Sequence, residues 1–290
     1  MAHGYITGAI GEPSGMMLRL LLITYPKFDP VALRLGPIWI RWYGLAYVAG
    51  LLLGWQYIRR LVANGRLWAG GVAPITLEHV DSLLLWIMAG VVLGGRLIGI
   101  ILYDPWPYIR DPMEILRTWH GGMSFHGGLI GVVAAIFVFA WRQGVRPLPI
   151  GDLVCTAVPL GLLFGRIANF VNGELWGRVS FVPWAMVFPD KDAGPLPRHP
   201  SQLYEAGLEG LLLGVILWWL ATRCGGLKRE GAMTGTFFVG YGFTRGFCEI
   251  FREGDDTWFW TSGVITSGML YCVPMIVVGA WLMWRARTVT

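Results

Sequence analysis

The sequence predicts an all-α, polytopic integral membrane protein with seven transmembrane helices. Three observations point there. Of 290 residues, 55% are hydrophobic and only 14% are charged, where a soluble domain carries about 25% charged residues. Seven stretches are long and apolar enough for the roughly 30 Å hydrocarbon core of a bilayer. Backbone groups in lipid must be satisfied within their own segment, which makes those stretches helices.

The spans are expected near 38–59, 82–103, 124–141, 151–171, 203–222, 232–252 and 262–284. The first carries Tyr43 near its start and ends on Arg59-Arg60. The second has a single charge, Arg96, beside Gly94-Gly95, small residues that let a neighbouring helix approach closely. The third opens on His126-Gly127-Gly128. The fourth runs through the apolar "CTAVPLGLLF" into "GRIANFVNGELWGR" at 165–178, where Arg166, Asn169, Asn172 and Glu174 crowd together. The fifth carries Glu205 and Glu209, the sixth Tyr241, Arg245 and Glu249, and the seventh no charge before Arg285.

Basic residues set the orientation. Arg59, Arg60 and Arg66, then Arg142 and Arg146, then Arg223, Lys228 and Arg229, then Arg285 and Arg287 form one dense set of connections. By the positive-inside rule that set is cytoplasmic. The N-terminus and the segments 1–37, 104–123 and 172–202 then face outward, and 285–290 is a cytoplasmic tail. The insert 172–202, with its "PDKDAGPLP" turn, reads as a small external arm with an amphipathic surface. "MMLRLLLI" near the N-terminus has no A-x-A-like site after it and is not read as a cleaved signal. Residues before Met17 read as a ragged extension. The net charge of +5 lies at the edges of apolar runs, which points to phospholipid headgroups and not to nucleic acid. Cys155, Cys224, Cys248 and Cys272 form no CxxC pair and read as small apolar residues.

With the orientation fixed, the polar residues of the spans fall at one depth. Tyr43, Arg96, His126, Arg166 with Asn169, and Arg245 with Glu249 all lie in the outer half of their helices. Accidents would scatter through both halves. At 100° per residue, Arg166, Asn169 and Gly173 share a face, and Tyr241, Arg245, Glu249 and Arg252 fall within about 80°. An arginine at mid-membrane costs at least about 2.5–3.5 kcal/mol on insertion scales, so each needs an anion or water. Every feature also has a purely structural reading. Glu249 can neutralise Arg245, Arg96 can brace a neighbour, His126 can cap a carbonyl at the interface, Asn169 and Asn172 can join helices, and Glu205 and Glu209 can pair with arginines.

Arginines around one cavity suit a phosphate, whose oxygens match the guanidinium fork, and a phospholipid delivers its phosphate to this depth. A histidine near the outer surface suits a base. No GxSxG, HExxH, P-loop or carboxylate-rich metal cluster occurs in the sequence, so no metal or cofactor is expected. An anionic-lipid transporter or flippase is the alternative, but no inverted repeat is visible. A seven-helix receptor would need no arginine-lined lipid site.

Seven stretches carry a resemblance: "FDP" at 28–30, "RWYGLAY" at 41–47, "LGGRLIGIILY" at 93–103, "GGMSFHGGLIG" at 121–131, "GRIANFVNGELWGR" at 165–178, "RHPSQLYEAGLEG" at 198–210 and "GYGFTRGFCEIFRE" at 240–253. They resemble the bacterial prolipoprotein diacylglyceryl transferase family over most of the chain. The departures are the N-terminal extension and a short external segment between Trp184 and Arg198. The resemblance implies a seven-helix bundle of the bacterial inner membrane with external arms and a periplasmic head. It implies transfer of the sn-1,2-diacylglyceryl group of phosphatidylglycerol to the lipobox cysteine of a preprolipoprotein, with a thioether formed and glycerol-1-phosphate released. On it, His126, Arg166 and Arg245 are expected to be catalytic. Tyr43, Asn169, Asn172, Glu174, Gly177, Tyr241, Glu249 and Arg96 are expected to bind substrate or shape its site.

Overall fold

The computed structural model describes residues 23–26, 28–36, 38–102, 106–115, 117, 122–253 and 265–288. The expectations for the N-terminal extension, and for the start of the seventh span, lie outside those residues. The chain is mostly helical, with helices α1 (Trp42–Ala63), α2 (Leu77–Leu102), α3 (Trp106–Arg110), α4 (Phe125–Gln143), α5 (Pro147–Asn172), α6 (Ser201–Arg223), α7 (Ala232–Glu249) and α8 (Ser267–Thr288). Short strands β1 (Ile23–Thr24), β2 (Val31–Leu35), β3 (Ile38–Arg41) and β4 (Met186–Val187) form a parallel β1–β4 pair and an antiparallel β2–β3 hairpin.

The seven expected segments are helical over most of their length, but several boundaries move: the second and fourth helices begin earlier, at Leu77 and Pro147, and the described part of the seventh runs Ser267–Thr288. The first helix begins at Trp42, because Ile38–Arg41 pairs with Val31–Leu35 as the second strand of the hairpin. The sixth ends at Glu249, because Gly177 forms an antiparallel bridge with Arg252 and draws the chain out of the helix. Among the described residues five helices are long and apolar enough to cross a membrane: α2, α4, α5, α6 and α8. Helices α1 and α7 have 22 and 18 residues. Gln56, Arg59 and Arg60 dilute the first, and Gly, Thr, Arg245 and Glu249 the second.

Glycine contacts fix the register between antiparallel neighbours. A β-carbon on Gly131 or Gly94 would collide with the carbonyl oxygen of Gly90 or Gly127, so α2 and α4 touch backbone to backbone. That register brings Arg96 level with Phe125 and His126. A β-carbon on Gly50 would lie 3.1 Å from Gly161 Cα, which pairs α1 with α5. Two turns nearer the start of α1, Tyr43 reaches the level of Ala168. A β-carbon on Gly210 would lie 2.7 Å from Leu163 Cα, so α6 lies on α5 with Arg166 between the levels of Glu205 and Glu209.

At the opposite end of the bundle, Phe139, Leu83, Ile150, Leu153, Leu217 and Met233 lie fully buried in the larger hydrophobic core. Here the expectation that polar side chains keep to the outer half is corrected. Asp152 of α5 is buried and accepts hydrogen bonds from the backbone N–H groups of Gly231 (2.6 Å) and Thr234 (2.7 Å) and from Thr234 Oγ1 (2.8 Å). It caps the N-terminus of α7 from another helix, where the orphan N–H groups and the dipole favour a carboxylate. Large apolar side chains such as Leu85, Ile101, Trp141, Phe243 and Trp284 are exposed on the helix faces, the reverse of a soluble bundle and suited to lipid.

Candidate functional site

Three helices converge on a buried cluster of alternating charge. The carboxylates of Glu205 and Glu209 on α6 are 0% exposed. Arg166 of α5 lies 3.4 Å (Nε) from Glu205 Oε2 and 3.8 Å (Nη2) from Glu209 Oε2. Arg245 of α7 donates to Glu205 Oε1 and reaches Glu209 Oε1 at 3.9 Å and Glu249 Oε2 at 2.8 Å. Arg252, just past α7, donates to Glu205 Oε1 at 2.8 Å and lies 3.6 Å from Glu249 Oε2. The three arginine side chains are only 11–17% exposed. A buried arginine without an anion is expensive, and three carboxylates answer three guanidiniums here.

Local structure explains how α6 supplies its two carboxylates. Residues Ala206–Leu212 are wound as a π-helix, a rare conformation that recurs at functional sites. The segment begins at the residue after Glu205 and contains Glu209. On α7, Arg245 and Glu249 are four residues apart and meet along the helix face. Gly268 of α8 closes over Glu249, with space for a β-carbon only 2.9 Å from its carboxyl carbon.

The end of α5 frames the cluster. Asn169 Nδ2 donates to Glu174 Oε1 at 2.7 Å. Gly173 ends the helix in the left-handed conformation, φ 73°. Leu175 follows at φ 57°, the one non-glycine residue in that region among the described residues. Such a backbone persists only where its surroundings enforce it. Buried Ser201 donates to Leu175 O at 3.1 Å, and buried Gln202 donates to Glu174 O. Asn172 Oδ1 is buried with no hydrogen-bond partner among the described residues.

Gly177 is a point of close passage. Its N–H donates to His199 O at 2.9 Å, it bridges Arg252, and a β-carbon there would collide with Phe251 O and lie 2.9 Å from His199 Cβ. The chain before α6 and the chain after α7 are thus tied together through residue 177. Arg198 stacks over Trp176 at 4.1 Å and donates to Ala193 O at 2.7 Å, bracing the same segment. Beside it, Tyr204 OH sits 3.0 Å from His199 Nδ1 and accepts from Trp184 Nε1 at 2.6 Å. Burial draws the His199 imidazole below its ordinary pKa.

The other expected residues fall around this centre. Tyr241 stacks on Phe237 at 5.6 Å and is close enough to Glu209 and Arg245 to feel their charge. Tyr43 OH is 3.0 Å from Tyr47 OH, within electrostatic reach of Arg166 and Glu174. His126 is exposed at the start of α4, and its ring meets Tyr271 of α8 edge-on at 5.4 Å. Arg96 is set apart from the cluster. It is buried under the loop that follows α3, donating to Ile115 O (3.0 Å), Glu114 O and Arg117 O (3.3 Å), with Tyr108 5.0 Å beneath it.

The expected neutral pairing of Arg245 with Glu249 is present, and so is the pairing of Glu205 and Glu209 with arginines. Arg252, Ser201 and Gln202 were not among the expected site residues. The shared face of residues 241–252 carried a signal for Arg252. No spacing carried one for Ser201 or Gln202, whose contacts cross from α6 to the end of α5.

These features define a class: a polytopic helical membrane protein with a buried arginine–carboxylate cluster in one half of its bundle. The family model for prolipoprotein diacylglyceryl transferase matches residues 30–285, and the chain belongs to that family of transferases. Three relatives named phosphatidylglycerol–prolipoprotein diacylglyceryl transferase illustrate the match. The protein of Allorhizobium ampelinum is 52% identical over 267 residues, 92% of each chain. That of Rhizobium meliloti is 50% identical over 271 residues, 93% of this chain and 96% of its own. That of Rhodopseudomonas palustris is 52% identical over 268 residues, 91% of this chain and 92% of its own.

Proposed function

We propose that the chain transfers the sn-1,2-diacylglyceryl group of phosphatidylglycerol to the lipobox cysteine thiol of preprolipoproteins, releasing sn-glycerol-1-phosphate. The relatives' names give the donor lipid and the acceptor protein. The observation that carries the mechanism is the convergence of Arg166 and Arg245, from separate helices, on the same two carboxylates.

A thiol with pKa about 8.5 is only slightly ionised near neutrality. His126 takes its proton; it stands exposed at the outer start of α4 and has no hydrogen-bond partner among the described residues. The sulfur then attacks the glycerol carbon that bears the phosphate ester. A carbon–sulfur bond forms, the carbon–oxygen bond breaks, and glycerol phosphate leaves with the electron pair. Arg166 and Arg245 hold that phosphate, and their attraction grows as charge develops on the leaving oxygen. Glu249 orients Arg245. Asn169, Asn172 and Glu174 shape the mouth, with Gly177 tying its far side to the chain after α7, and Tyr43 and Tyr241 flank the headgroup. Arg96 supports the loop above His126.

The topology that serves this chemistry has seven spans, with 1–37 and the insert 172–202 outside and 285–290 in the cytoplasm. A secreted lipobox cysteine then arrives on the side that holds the cluster. Arg166→Ala is expected to lower turnover by about 10²–10³, the scale of a lost oxyanion donor, while the protein still inserts. The assay mixes purified protein, phosphatidylglycerol and a lipobox peptide and follows glycerol phosphate release. Near-normal release by the variant removes the phosphate clamp, and release with a Cys→Ala peptide turns the reading to a lipase.

A further inference from the structure

The charge balance of the cluster poses a problem for a phosphate clamp. Arg166, Arg245 and Arg252 already face Glu205, Glu209 and Glu249. Three positive and three negative groups leave nothing over to hold another anion. A lipid phosphodiester entering this buried place would add an uncompensated negative charge, which a low-dielectric site does not tolerate. One carboxylate has to give up its charge or its place.

The three carboxylates are not held equally. Glu205 accepts hydrogen bonds from Arg245 and Arg252, and Glu249 lies 2.8 Å from Arg245 Nη2. Glu209 reaches its arginines at only 3.8 and 3.9 Å. Both of its oxygens are buried without a hydrogen-bond partner among the described residues, against one such oxygen each on Glu205 and Glu249. Gly210, the next residue, is packed against the backbone of Leu163, so this part of α6 has little room to turn away. The groups that act on Glu209 are Arg166 from α5, Glu205 on its own helix, Tyr241, Arg245 and Cys248 from α7, Arg252 beyond it and Cys272 from α8.

We propose that Glu209 is a proton-coupled placeholder: it occupies the guanidiniums of Arg166 and Arg245 in the empty site and takes up a proton when the substrate phosphate replaces it there. The neutral carboxyl then has an O–H to give to a phosphate oxygen, which fills the hydrogen-bonding capacity now left open. The proton comes from solvent and no other bond changes in this step. Glu209 acts here as a positioning residue, and the inference rests on the lipid-phosphate reading given above.

The test is titration calorimetry of the whole protein in detergent with phosphatidylglycerol and no peptide, at pH 8, in two buffers of different ionisation enthalpy. The wild type is expected to take up about one proton per lipid bound. Glu209→Gln, whose side chain is permanently neutral, is expected to bind the lipid with no uptake. In turnover assays the wild-type KM for the lipid should rise with pH, by up to about tenfold per unit, and the Gln variant should flatten that slope. Lipid binding by the wild type without proton uptake overturns the proposal and leaves the transferase reading standing. So does a variant that takes up as many protons as the wild type. A wild type that binds no phosphatidylglycerol overturns both.

Discussion

Gly177 sits at a tight crossing of two chain segments. The sequence marked it by resemblance alone. In the structure a β-carbon has no space between Phe251 O and His199 Cβ. Gly177→Ala is therefore expected to force the segment off Arg252 and to cost about 1–3 kcal/mol, as overpacking does. A lowered melting temperature in detergent, together with lost turnover, checks this; an unchanged melting curve with weaker lipid binding would make Gly177 a contact instead. Arg166 and Arg245 are the contrary case. Their cost in lipid was legible from residue type and depth, and the structure gives them a common meeting place. What residue type could not reveal is that one carboxylate, Glu205, is shared by Arg166, Arg245 and Arg252.

At the scale of the element, glycine spacing decides which helices touch. Gly90 and Gly94 on α2 face Gly131 and Gly127 on α4. Gly128, one residue from Gly127, has nothing closer than 3.8 Å to a β-carbon. Gly131→Ala is expected to wedge α2 from α4, and Gly128→Ala to be tolerated. Thermal melting of the two variants separates them, and equal losses would refute the backbone contact. The sequence pointed to glycines that permit close packing but could not pair them, because the partner glycine lies roughly 40 positions away. The π-helical turn of α6 was equally invisible. Its residues, AGLEGLL, have no unusual pattern.

For the whole molecule, the apolar helices and basic clusters make a topological prediction that needs no mutation. Of the four cysteines, Cys155, Cys248 and Cys272 are buried and Cys224 is exposed, at the end of α6 beside the basic connection Arg223–Arg229. A membrane-impermeant maleimide is expected to label Cys224 in inside-out vesicles and not in right-side-out vesicles. The opposite pattern would invert the topology and place the cluster on the cytoplasmic side.

The helical segments and the helix ends rich in arginine were determined by the sequence alone. They depend on composition and on distance along a helix, which the bilayer turns into position. The tertiary structure alone decided that Glu205 links three arginines, that Asp152 caps α7 from α5, and that Arg96 holds the loop at Ile115. Those pairings join residues up to 82 positions apart. They are settled by which helix faces pack together, and hydropathy and charge along a single helix do not specify that.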